Sequence, residues 1–297
     1  METFERAGGS NADPYVSRAG PESGLVERVD PVIWGSGDGP LSPEEVTRFE
    51  ADGFLVKERL FNETEVAEMM AELERLPGAY PESAEEVVAE PDTGIIRSIF
   101  RVHRTSPRFE KLSRDPRLVD TAKQILGDDL YIHQSRINFK PAFDGRPFPW
   151  HSDFETWHVE DGMPRMRAVS ASVLLTENTP VNGPLMLIRG SHRHYVRCPG
   201  RTPNEHYKES LRQQRYGVPP KESLIQLIER GELVQALAPP GSVLFFDCNT
   251  MHGSTGNMSP FARHNVFLVF NSTANQLQAP FCGLPPRPIF LAERQVD

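Results

Sequence analysis

The spacing of apolar positions changes character once along the chain. Up to about residue 127 it is helical in three stretches, and beyond that it breaks into short extended runs. Ser42-Pro-Glu-Glu45 has the form of a capping box with Pro43 at the first helical position, and predicts a helix that stops at Asp52-Gly53. Residues 54–56 read as a short strand. Asn62 followed by Glu65 is a second capping box. The helix it opens runs to about Leu76, with Val66, Met69, Met70 and Leu73 on one face, and Pro77-Gly78 ends it. Residues 79–94 are acidic and irregular, residues 95–102 extended, and residues 116–126 helical up to Gly127.

From residue 128 onward, short runs at 130–140, 167–176, 185–188, 242–246 and 265–271 are separated by Gly, Pro and Asn. In the second of these, Val169, Ala171, Val173 and Leu175 alternate with Ser170 and Ser172, the period of a strand with one buried face. A polar, helix-prone insertion at 201–232 interrupts the series, with its clearest helix at 221–230. The pattern predicts a mainly β protein with α: a helical N-terminal layer on an antiparallel jelly roll, cupin-like in outline. The expected organisation is one domain over residues 41–297, with a jelly-roll core at about 128–275. Residues 1–40, rich in Gly, Pro, Ser and charge, read as a loose arm with a short ordered piece at 32–34.

Composition narrows the function. Against 32 Lys and Arg stand 41 Asp and Glu, a net charge of −9, which argues against nucleic acid or an anionic membrane as partner. No apolar run approaches the roughly 20 residues of a membrane-spanning helix. The start M-E-T-F-E-R-A-G-G-S lacks the basic-then-apolar order of a signal peptide. Cys198, Cys248 and Cys282 are widely spaced, without a C-x-x-C pair, so neither a disulfide framework nor a zinc knot is expected. A cytoplasmic location follows as the expectation, and a homodimer by base rate.

The densest chemistry lies at 148–167, F-P-W-H-S-D-F-E-T-W-H-V-E-D-G-M-P-R-M-R. On an extended strand His151 and Asp153 share a face and can grip one side of a metal ion. His252, in D-C-N-T-M-H-G-S after an apolar strand, is the best third ligand. Two His and one carboxylate on one face of an octahedron form the triad of non-haem Fe(II) oxygenases. Spacing alone leaves His158-Val-Glu160 and His192-Arg-His194 as rivals. Arg263, eleven residues beyond His252 across a turn, can reach the neighbouring strand. If 2-oxoglutarate is a cosubstrate, Arg263 and the Ser254 hydroxyl could hold its far carboxylate; a solvated charge is the plainer reading of Arg263 alone.

These residues bring a family into view. The chain resembles the phytanoyl-CoA dioxygenase-like Fe(II)/2-oxoglutarate oxygenases, and among them the branch that hydroxylates ectoine. The likeness runs from about Leu41 onward. It rests on I-H-Q-S-R-I-N-F-K at 132–140, W-H-S-D-F-E-T-W-H-V-E-D-G-M-P-R-M-R at 150–167, N-G-P-L-M-L-I-R-G-S-H-R at 182–193 and F-D-C-N-T-M-H-G-S at 246–254. The resemblance implies a double-stranded β-helix and iron held by His151, Asp153 and His252. It implies Lys140, Asn138, Ser172, Ser254 and Arg263 around 2-oxoglutarate, and Gln134, Thr156, Trp157, Phe246, Asn265, Phe267 and Arg287 around ectoine. With O2 as second cosubstrate, the implied products are 5-hydroxyectoine, succinate and CO2.

Ectoine pairs a delocalised amidinium with one carboxylate. Trp157, Phe246 and Phe267 could therefore box the cation, while Arg287 takes the carboxylate and Gln134 or Asn265 the ring N–H groups. Lys140 either faces the cosubstrate beside Arg263 or lays its stem on apolar surface with its head in water. Glu160 and Asp161 are expected in a loop ordering the mouth of the site. The same chemistry on another small amino or imino acid, a non-oxidative cupin-like metal-binding module, and a zinc hydrolase stay open at this point.

Overall fold

Both capping boxes close. In a computed structural model of the protein, which describes residues 13–35, 38–81 and 83–294, Ser42 Oγ accepts from the Glu45 amide and the Glu45 carboxylate accepts from the Ser42 amide. Asn62 and Glu65 do the same. The helices Pro43–Asp52 and Glu63–Arg75 follow. The first ends at Gly53, whose φ of +83° suits glycine and where a Cβ would meet His192 Nδ1 at 2.4 Å. The helix Pro116–Leu126 ends the same way at Gly127.

The strands, in chain order, are β1 Gly24–Glu27, β2 Phe54–Lys57, β3 Val87–Ala89, β4 Ile96–Phe100, β5 Leu130–Lys140, β6 Phe148–His151, β7 Ala168–Leu174, β8 Leu185–Ile188, β9 His194–Arg197, β10 Leu233–Gln235, β11 Val243–Asp247, β12 His252–Ser254 and β13 Arg263–Ser272. A seven-stranded antiparallel sheet runs in the order β2-β11-β7-β13-β5-β4-β3. A four-stranded sheet runs β10-β8-β12-β6, and β1 pairs with β9.

Side-chain alternation divides the large sheet into two faces. Val169, Ala171 and Val173, Val243 and Phe245, and Val266, Leu268 and Phe270 pack against the helical layer. The opposite face carries Leu174, Leu244, Phe246 and Phe267, which meet Leu185 and Leu187 of the small sheet. Each such side chain contributes about 1.5–3 kcal/mol on full burial. Two sheets back to back, with helices on the outer face of the larger one, form the expected jelly roll with its helical layer.

Three local expectations need correction, and one further helix carries no sequence signal. Ser170 and Ser172 do not face solvent: both are buried between the sheets, so the alternation in β7 separates a helix-facing side from an inner side. Val87–Ala89, inside the stretch read as irregular, adds an edge strand to β4. The helix Pro107–Ser113, capped by Ser106, is too short to show a period. The arm read as loose is packed over its described part: β1 pairs with β9, Tyr15 is fully buried, and the Trp34 amide donates to Ile125 O at 2.8 Å. The rest of that expectation falls on residues 1–12, 36 and 37, outside the described residues. In the insertion, the helix Lys221–Arg230 forms as predicted.

Candidate metal centre and its cavity

His151 and Asp153 do not share one strand. His151 is the last residue of β6, and Asp153 is the first of a one-turn helix, Asp153–Thr156. Ser152 between them stays extended, so the two side chains still converge. The small sheet supplies the third group, because His252 opens β12 directly opposite His151 in the β6 register. His151 Nε2 lies 3.6 Å from Asp153 Oδ1, and His252 Nε2 lies 3.9 Å from Asp153 Oδ2. Ligand atoms of the three residues all fall within 4.8 Å of one another, and among the described residues no other such group of three occurs.

The donor set suits a divalent metal. His151 Nδ1 donates to Pro149 O and His252 Nδ1 to Thr250 O, each at 2.9 Å, which leaves both Nε2 lone pairs aimed at the centre. Asp153 Oδ2 is buried with no hydrogen-bond partner, an acceptor that a cation would satisfy. Burial pushes His252 down to about 4, with His151 adding to the effect, so this ring is a neutral ligand at pH 7. Burial alone would raise the Asp153 carboxyl, but His252, His151 and Arg136 outweigh it and hold it below the ordinary carboxylate range. The rivals form no such cluster among the described residues: His158 donates from Nδ1 to Met163 O and pairs through Nε2 with Asp13, while His192 donates from Nε2 to Glu50 O.

Beside the triad opens a cavity between the sheets, and one of its ends is cationic. Strands β5 and β13 set Lys140 opposite Arg263, Asn138 opposite Asn265 and Arg136 opposite Phe267. Lys140 Nζ donates to Ser254 Oγ at 2.8 Å and to Thr255 O. It is not a lysine with its head in water, since the residue is 5% exposed. Arg263, 3% exposed, has an unpartnered Nε. Among the described residues neither has a carboxylate within salt-bridge distance. Burial, then Arg263 and Arg97, lowers Lys140 to about 6, and burial lowers Arg263 to about 10. A buried guanidinium beside a buried amine, with no carboxylate to pair either, makes a receptor for an anion, whose arrival favours the charged form of Lys140.

The far end is walled by the widened turn Trp157–Asp161, by the insertion and by the C-terminal tail. Trp157, Thr156, Gln134, Phe267 and Arg287 reach the cavity, as do Asn138 and Ser254. Ser172, Phe246 and Asn265 do not line it: Ser172 pairs in register with Phe267, Phe246 lies edge-on to His252 and Phe267, and Asn265 turns its amide to Arg263 and the His264 carbonyl. The aromatic box is thus smaller than expected, and Arg136 already covers the Phe267 ring at 4.8 Å. Arg287 spends Nε and Nη2 on Asp161, at 2.7 and 2.6 Å. Gln134 donates to Leu291 O and accepts from Arg136.

Glu160, expected at the mouth of the site, lines the cavity, and Arg136, His206 and Gln214, which the sequence did not single out, line it too. Arg136 had a signal. Residues 134, 136, 138 and 140 are all polar, at period two, on one strand. The insertion residues had none, because their partners lie about fifty residues away.

A jelly roll carrying a His/Asp/His face next to a buried anion receptor defines a non-haem metal-dependent oxygenase. The chain belongs to the phytanoyl-CoA dioxygenase (PhyH) family, whose sequence profile matches residues 49–265. A protein of Stutzerimonas stutzeri (strain A1501) named ectoine dioxygenase is 53% identical over 287 residues, 96% of this chain and 95% of the relative. The crystal structure of EctD from S. alaskensis with 2-oxoglutarate and 5-hydroxyectoine is 48% identical and covers 95% of each chain with a TM-score of 0.86. The structure of EctD with bound Fe is 47% identical and covers 96% of this chain and 95% of its own, with a TM-score of 0.85.

Proposed function

We propose that the protein is an Fe(II)- and 2-oxoglutarate-dependent dioxygenase that hydroxylates L-ectoine to 5-hydroxyectoine and releases succinate and CO2. The observation that carries this reading is the uncompensated Lys140–Arg263 pair in the same cavity as the triad, a place for the far carboxylate of an oxo acid. His151, Asp153 and His252 would hold the iron. When bound, iron with the oxo acid and O2 supplies the oxidising power to insert one oxygen into an unactivated C–H bond.

The protein's own residues bind, orient and shield. Lys140, Arg263 and Ser254 take the cosubstrate carboxylate, with Asn138 beside them and Ser172 behind. Trp157 and Phe267 face the substrate ring, with Phe246 supporting from behind. Gln134, Asn265, Thr156 and Arg287 supply polar contacts, Arg287 through the N–H groups that Asp161 leaves free. The two sheets, the turn at 157–161 and the insertion wall the cavity and limit water at a reactive centre, and C–H cleavage of this kind needs no protein base. The three free cysteines, two of them buried, accord with a cytoplasmic setting. A homodimer is the proposed assembly, and light scattering should give twice the mass of one chain.

The test is reconstitution of the protein with Fe(II) and 2-oxoglutarate without oxygen, followed by air and ectoine. A product heavier by one oxygen, formed with stoichiometric succinate, is expected. Equal or faster succinate release with proline in place of ectoine would overturn the substrate assignment.

A further inference from the structure

The N-terminal arm reaches the cavity wall through a single buried arginine. Arg18 sits in the left-handed region, φ +51°, and its side chain is fully buried. Its guanidinium binds Glu155 through Nε at 2.9 Å and Nη2 at 2.5 Å, and Glu160 through Nη1. Nη2 also donates to Thr156 Oγ1 at 3.1 Å. From the insertion, Gln214 Nε2 donates to the same oxygen at 3.4 Å. Gln214 Nε2 also donates to the Gly217 carbonyl, a group that only accepts, which fixes which end of the amide faces Thr156. Gly217 has φ +71°, and a Cβ there would lie 2.3 Å from Arg18 Nη2, so the backbone is moulded to the guanidinium.

A threonine hydroxyl has two acceptor sites and one proton. Here both acceptor sites are filled, by an arginine that can only donate and by an amide nitrogen. Among the described residues no acceptor takes the proton, and Thr156 lines the cavity. We infer that Arg18 and Gln214 are positioning residues for specificity: they make the Thr156 hydroxyl an obligate donor, which selects the substrate's carboxylate. This rests on ectoine being the substrate. Its amidinium N–H groups only donate, so the carboxylate is its one acceptor. An arm and an insertion far apart in sequence thereby set the direction of one proton.

The test compares ectoine with 2-methyl-1,4,5,6-tetrahydropyrimidine, the same ring without the carboxylate, by steady-state kinetics and by calorimetric binding. Thr156→Val should raise the ectoine KM about tenfold, the worth of a hydrogen bond to a charged group. Gln214→Leu and Arg18→Lys should raise it about threefold or more, with kcat and the 2-oxoglutarate KM unchanged. The double variant Gln214→Leu/Thr156→Val should be no worse than Thr156→Val alone. None of these penalties should appear with the carboxylate-free ring. Additive penalties, or equal penalties with both ligands, would overturn the inference and leave a structural role only. Should Arg18→Lys fail to fold, Gln214→Leu decides by the same comparison. A wild-type protein that neither binds nor oxidises ectoine overturns the function proposed above together with this inference, whereas an active wild type with additive variants overturns this inference alone.

Discussion

Lys140 shows how burial becomes chemistry at a single side chain. Its pKa falls from 10.5 to about 6 through burial first, then the charges of Arg263 and Arg97. In the free protein the amine is therefore neutral at pH 7 to 8, and the unfolded chain binds more protons between about pH 6 and 10.5. This group's share of the stability consequently rises with pH across that window. A carboxylate arriving beside it favours the charged form, so 2-oxoglutarate should bind with proton uptake and bind less tightly as pH rises above about 6. Calorimetry in buffers of differing ionisation enthalpy should show that uptake. Lys140→Met should abolish it, weaken binding, and flatten the pH dependence of the 2-oxoglutarate KM. At the centre itself, Asp153→Ala leaves two imidazoles, and both iron binding and turnover should fall by at least about 100-fold; retained hydroxylation would contradict the assignment. The ligands were legible only in part: spacing left His158 and His192 as rivals of His151, and the longer block at 150–167 with its family resemblance favoured His151, Asp153 and His252. Arg136 carries its own signal, since it shares one polar face of β5 with Gln134, Asn138 and Lys140.

At the scale of elements, the caps were legible and the junctions were not. A capping box is complete within four residues, so Ser42 and Asn62 announce their helices without help from the rest of the fold. The turn from β6 into Asp153–Thr156 and the wide turn Trp157–Asp161 obey no local period, because distant partners hold them. Gly162 is the clearest case. It has φ +80°, and a Cβ there would lie 2.3 Å from the Gln278 carbonyl, a backbone atom that cannot swing away. Gly162→Ala should cost about 1–3 kcal/mol in chemical denaturation and raise the KM for ectoine, since this turn carries Trp157. Gly78→Ala, where nothing lies within 4 Å of the added carbon, should stay within about 0.5 kcal/mol of the parent. Equal costs at the two positions would mean that the turn tolerates repacking.

For the molecule as a whole, the arm changes from appendage to structural strap. Composition marked it as loose because it lacks apolar periodicity; its stability comes from ion pairs whose partners lie more than a hundred residues away, which no local pattern can show. Arg28 donates to Asp247 at 2.8 Å and to the Met166 carbonyl at 2.9 Å, with both charged side chains under 5% exposed. Asp30 accepts from Tyr15, Arg165 and the Met166 amide. Thus the arm clamps both ends of the metal-binding region: the loop after His151 and the strand end before His252. Removing one member of a buried pair strands the other, at about 3–5 kcal/mol. Arg28→Met should therefore lower stability by that amount, and adding Asp247→Asn should recover part of it, because the uncompensated charge is gone even though the backbone contacts are not. Deleting residues 1–30 would strand Glu155 and Asp247 and leave Glu160 with His206 alone, and should yield a chain that does not fold around iron. If the deleted protein still melts cooperatively near the parent temperature and still gains stability with Fe(II), the jelly roll holds its metal site unaided and the strap is dispensable.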